Sequence, residues 1–238
     1  MSHSVALDAI SSKPVAAFSP RRWAGLTGLA FALFVGLLNM FLGSLAPPAM
    51  DAKGSDIVAF VAENRTSLSF ALGMVPAGIF LLFMFMAGAY PMLSQASPAA
   101  AFWTRLGAVG VVLVEVMFLI RTLPEVVLVA NVDRLANDHL MVETLWQLQG
   151  AALAANGLAL AVTLLGLSRA ARLSGLIPAW QEVMGLAAAV AFVVASVGVV
   201  PSLSGSPIGI LALPAFITWL VWLGLTSGRL LRNDPASS

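Results

Sequence analysis

Three runs of this chain, 24–50, 66–104 and 183–228, contain no charged residue. Each is at least as long as the ~20 residues a helix needs to cross the ~30 Å hydrocarbon core of a bilayer. The rest of the chain points the same way: of 238 residues, 60% are apolar and 10% charged. An average soluble domain has about 45–50% and about 25%, so a water-soluble fold has no interior large enough for this much apolar surface.

The first run follows the basic flank Lys13, Arg21 and Arg22, which raises the question of a secretory signal. An h-region is only about 7–15 residues long, and Pro47 and Pro48 follow the one plausible cleavage site after Ala46. The first helix is therefore expected to stay attached. The second run is too long for one crossing, and its Ser94-Gln95-Ala96-Ser97-Pro98 segment has turn chemistry. Pro201-Ser202-Leu203-Ser204-Gly205-Ser206-Pro207 divides the third run in the same way.

The reading is an all-α polytopic membrane protein, a bundle of about six transmembrane helices. One domain, 23–231, holds spans at 23–45, 68–93, 102–130, 144–167, 180–200 and 208–227, between tails at 1–22 and 232–238. Between the first two spans, Ile57, Phe60, Val61 and Asn64 recur at helical spacing. This predicts a short interfacial helix capped by Ser55.

Basic residues near helix ends stay on the cytoplasmic side. With the N-terminus inside, Lys13, Arg21, Arg22, Arg105, Arg169, Arg172, Arg229 and Arg232 fall inside, against Lys53, Arg65 and Arg134 outside. The expected location is the cytoplasmic (inner) membrane, multi-pass, with both termini cytoplasmic. Trp23, Tyr90, Trp103, Trp180 and Trp222 fall near the inner interface and Trp146 near the outer one, as an aromatic belt would.

A charged side chain at mid-bilayer costs at least about 2.5–3.5 kcal/mol, so the ionisable residues of the third span call for a reason. Counted from Arg105, Glu115 lies roughly 15 Å deep, Arg121 roughly 24 Å and Glu125 roughly 30 Å. Arg121 and Glu125 form an i, i+4 pair able to bridge on one helix. Glu115 and Arg121 are about 120° and about 9 Å apart. Their contact would need the bend that Pro124 offers by leaving the Ile120 carbonyl without its donor. Asn39 in the first span and Gln147, Gln149 and Asn156 in the fourth have compatible depth, with Asn156 the best match for Glu115. A shared cluster of Glu115, Arg121, Glu125, Asn156, Asn39 and Gln149 is expected, either as a structural clasp or as a site. Small residues at Gly150, Ala151, Ala154, Ala155 and Gly157 predict close helix packing there.

Other chemistry is narrowed by absence. Without cysteine there are no disulfides, thiolate nucleophiles or Cys-ligated clusters. A net charge of +1 on scattered basic residues lacks the stripe that nucleic acid requires. His3 and His139 both lie outside the spans, which excludes bis-His haem, and no cofactor is expected. His139 and Glu143 stand four apart at a helix start capped by Asp138; this spacing suits metal ligands far less often than a solvated helix end. No familiar hydrolase, zincin or ATPase motif occurs, nor an internal repeat of the transporter kind.

Arg21-Arg22-Trp23-Ala24-Gly25-Leu26, Ser174-Gly175-Leu176-Ile177-Pro178 and Leu213-Pro214 resemble a bacterial family of six-helix integral membrane proteins, a domain of unknown function, over nearly the whole chain. The resemblance implies topology and no activity. Arg105 and Glu115 echo an Arg and a Glu that members carry on the third helix, while Arg121, Pro124 and Glu125 are additional. Two classes of function follow: a protein that binds or transports a small molecule or ion through a polar site in the outer half of the bundle, or a non-catalytic accessory subunit paired with another membrane protein. A membrane-embedded enzyme ranks third.

Overall fold

Away from water a backbone must satisfy its own hydrogen bonds, and the apolar runs do so as helices. The computed structural model describes residues 19–199 and 211–232, among which there is no strand. In chain order the helices are α1 (Pro20–Ser44), α2 (Gly54–Glu63), α3 (Arg65–Ser94), α4 (Pro98–Leu135), α5 (His139–Leu173), α6 (Ala179–Val197) and α7 (Ala212–Arg232). The expected break at 201–207, residues 200 and 208–210 of the fifth and sixth spans, and residues 1–18 and 233–238 of the tails lie outside the described residues.

Five of these helices, α1, α3, α4, α5 and α6, are long and apolar enough to cross a membrane. Their exposed surfaces carry Leu33, Leu37, Phe80, Phe102, Leu123, Val183 and Val190, far more contiguous apolar area than water tolerates. The chain is an all-α bundle suited to a bilayer. The described part of α7 falls outside that set of five, because Trp, Thr, Ser and Gly dilute its apolar residues and its last turn holds Arg229 and Arg232.

Local chemistry sets the helix ends. Ser19 accepts from the Arg22 amide at 3.3 Å ahead of Pro20, Ser97 from Ala100 at 3.1 Å ahead of Pro98, and Asp138 from Met141 at 3.1 Å. At the α5–α6 turn Gly175 adopts φ +71°. The Leu176 amide donates to the Ala171 carbonyl at 2.9 Å and the Gly175 amide to Arg172 at 3.1 Å, a Schellman ending that only a residue without Cβ takes up freely. Pro178 then starts α6.

Two expectations about local structure are corrected. Ser55 does not cap α2: its hydroxyl donates to Asp56 at 3.3 Å, and the Gly54 amide donates instead to Glu143 Oε1 of α5 at 2.7 Å. The bend in α4 is at Asn131, whose φ −121° and ψ 18° leave the helical region, and not at Pro124, where the helix runs on through the lost hydrogen bond. At 38 residues α4 would measure about 57 Å if straight, well beyond a hydrocarbon core.

The apolar face of α2 is covered by protein. Ile57 and Val61 are buried in a cluster with Leu68, Leu128, Val129, Val132, Val142 and Trp146. The Trp146 indole N–H donates to the Ala49 carbonyl at 3.1 Å. Trp146 and Trp222 are core residues, at 4% and 1% exposure, whereas Trp23 and Trp180 remain half-exposed as belt residues would.

The long helices pack in a ring: α1 on α3 and α7, α3 on α4, α4 on α5, α5 on α6 and α6 on α7. The α4–α5 seam is the tightest. A Cβ on Gly166 would lie 2.6 Å from Gly107 Cα and 2.8 Å from the Trp103 carbonyl oxygen, and one on Gly110 would lie 2.6 Å from Thr163 N. Gly157, from the expected small-residue stripe, packs on Phe192 and Ser196 of α6. The buried apolar core is nevertheless in two pieces. The α2 cluster takes in α4 from Leu128 and α5 as far as Trp146. The larger cluster reaches Val114 on α4 and Ala159 on α5.

Candidate functional site

The interval between the two apolar clusters, 115–127 on α4 and 147–158 on α5, holds one group of buried polar side chains. Glu115, Thr122, Glu125, Gln149 and Asn156 are each less than a tenth exposed. The contact of Gly110 with the Thr163 backbone identifies the face of α5 turned to α4. Asn156 and Gln149 sit one and two heptads from Thr163, on that same face. On α4 the facing stripe runs from Gly107 through Val114 to Arg121, with Glu125 one turn further. The antiparallel register places Gln149 level with Glu125, and Asn156 roughly level with Met117 and Phe118.

Arg121 and Glu125 make the expected i, i+4 pair, Nη2 to Oε2 at 3.4 Å, and the Arg121 guanidinium lies over the Phe118 ring at 5.6 Å. Charge holds the pair, since neither Arg121 Nε nor Glu125 Oε2 has a hydrogen-bond partner. Gln149 Oε1 and Asn156 Oδ1 are buried and unpartnered as well. An unsatisfied buried amide oxygen costs about 1–3 kcal/mol.

Glu115 is 4% exposed and has no hydrogen bond or ion pair among the described residues. The expected contact with Arg121 does not form. Glu115 lies about 100° around α4 from Val114, on the flank away from the α5-facing stripe, while Arg121 is committed to Glu125 and Phe118. Asn39 is also apart: it is exposed, its amide donates to the Val35 carbonyl at 2.9 Å, and α1 packs on α3 and α7. Gln147 is exposed. Glu143, considered with His139 for metal, instead accepts the Gly54 amide.

A second polar network, unforeseen from the sequence, joins α5, α6 and α7 at the end opposite α2. Gln181, wholly buried, donates to Thr226 Oγ1 at 2.9 Å and to the Trp222 carbonyl at 3.3 Å, and accepts from Arg229 Nε at 3.0 Å. Glu182 accepts from Arg169 at 2.7 Å, with Arg172 3.8 Å away. Gln181, Gly185, Ala188, Phe192 and Ser196 recur three or four apart on the buried face of α6, a small-residue stripe that was the available signal. Although Ser168 Oγ and Trp222 Nε1, beside Gly185 one turn along α6, are buried without a hydrogen-bond partner among the described residues, Gln181 is fully engaged in this network. Gln181→Leu, which strands several of these partners, is expected to lower stability by about 2–4 kcal/mol in detergent-micelle unfolding; a loss below about 0.5 kcal/mol would show the network to be solvated.

No family model matches this chain, and neither a curated protein nor a solved structure matches it.

Proposed function

We propose that this chain is a six-span protein of the cytoplasmic membrane, with both termini inside, that binds or passes a small polar solute or ion through the α4–α5 seam. One observation carries the reading. The apolar core is interrupted over the stretch where Glu115, Arg121, Glu125, Gln149 and Asn156 lie, and four of their buried atoms lack partners. Ionisable groups retained inside a membrane mark ligand or ion pathways by default. In this topology α7 is the sixth span, and α2 closes the outer end.

The test is the melting temperature of Glu115→Gln against wild type in lipid nanodiscs. Because Glu115 has no hydrogen bond or ion pair among the described residues, the neutral isostere is expected to melt at the same temperature or higher, the pattern of a residue kept for function at the expense of stability. A large drop would show that Glu115 holds the fold together, and the binding reading would fail. The natural absence of cysteine lets single introduced cysteines, placed at Ser55 and Ser238 and labelled from either side, test the topology directly.

A further inference from the structure

The N-terminal end of α1 and the C-terminal end of α3 border a groove of about 550 Å³, within the ~300–1,000 Å³ of ordinary ligand sites. Its walls are of two kinds: Ser19, Arg21 and Gln95 are polar, Pro20, Pro91 and Met92 apolar. Gly88 lines its deep end, where a Cβ would collide with the Pro20 carbonyl oxygen and with Ala24, so the two helices close together beneath it. Arg21 is the charged member. Its Nε is buried without a hydrogen-bond partner, and the side chain makes no ion pair among the described residues. Neither α1 nor α3 contains a carboxylate to supply one. By contrast, Arg65, Arg121, Arg169 and Arg172 each face an Asp or a Glu.

We infer that this groove holds the phosphate of an anionic phospholipid, with Arg21 as its counter-ion. A guanidinium presents a planar fork of N–H donors that matches phosphate oxygens. Ser19 accepts the Arg22 amide at 3.3 Å and keeps its own hydroxyl proton to donate. The walls indicate a lipid over a soluble phosphate. Pro91 continues an exposed stripe with Ala87 and Phe83, each four residues from the next along α3, so acyl chains can lie along that helix below a headgroup held at Arg21. Trp23, 45% exposed on the same turn of α1, stands at the depth that headgroups occupy. In the proposed topology this is the cytoplasmic leaflet. The site does not depend on the solute reading of the α4–α5 seam.

The experiment is native mass spectrometry of the full chain in detergent micelles doped with phosphatidylglycerol or phosphatidylcholine at matched mole fractions. One phosphatidylglycerol per chain is expected to be retained, about tenfold more tightly than phosphatidylcholine. Arg21→Gln is expected to bring the two lipids level, while Arg22→Gln, whose exposed side chain lies outside the groove, keeps the preference. Ala96→Trp, at an exposed position on the groove wall, fills the space with Arg21 intact and is expected to abolish retention. Equal retention of the two lipids by wild type, equal loss in Arg21→Gln and Arg22→Gln, or full retention in Ala96→Trp would overturn the inference. So would displacement of the lipid by inorganic phosphate, which would identify a soluble anion as the occupant. Micelles present lipid to both ends of the bundle, so a reversed topology in the cysteine labelling would move the site to the other leaflet and leave retention as it is.

Discussion

Gly166→Ala is expected to destabilise the protein by about 3 kcal/mol or more, at the upper end of what overpacking a well-filled interior costs. The added methyl would meet Gly107 Cα at 2.6 Å and the Trp103 carbonyl oxygen at 2.8 Å. Both are backbone atoms, so no side chain can rotate aside and α4 must move off α5. Gly73, also within a helix, has nothing within 4 Å of the equivalent position. There alanine is expected to gain about 0.5–1 kcal/mol by restricting the unfolded chain. Melting temperatures of the two variants in one lipid should therefore move in opposite directions. A common sign would mean that the α4–α5 contact is looser than its geometry indicates.

Arg121→Met removes one member of a mostly buried pair and leaves Glu125 uncompensated, for which about 3–5 kcal/mol is expected. The double variant with Glu125→Gln removes both charges and is expected to recover much of that loss, because replacing a whole buried pair by groups of similar volume is often close to neutral. A double-mutant cycle in nanodiscs reads the coupling. Additive losses would show that the two residues do not sense each other, and that Arg121 is stabilised by Phe118 and solvent alone.

The helices were legible because charge-free length is a direct readout of the bilayer constraint, and the turn at 94–98 because Ser and Pro sit where a helix must end and restart. The Arg121–Glu125 pair followed from i, i+4 spacing on one element. What the sequence withheld was relational. Nothing in Asn39 says that α1 packs on α3 and α7, so it was placed at a seam it never reaches. Pro124 drew attention as the helix breaker, yet the backbone leaves the helical region at Asn131, beyond the cluster. Gln181 and Glu182 stand beside a helix start, where polar residues ordinarily meet water, and only the neighbouring helices bury them. The interruption of the core is likewise a property of two helices in register.

The hydrogen bond that finishes α2 has a consequence for how the chain is made. Gly54 and Glu143 are separated by 89 positions, and synthesis delivers them in that order at about 5–20 residues per second. The ribosome has therefore passed all of α3 and α4 before the acceptor for the first amide of α2 exists. Until the α4–α5 hairpin is inserted, α2 has neither its cap nor the surface that covers Ile57 and Val61. Closure of that end is thus a late event in biogenesis, and a chain stalled before residue 143 would hold its early helices with α2 still unseated.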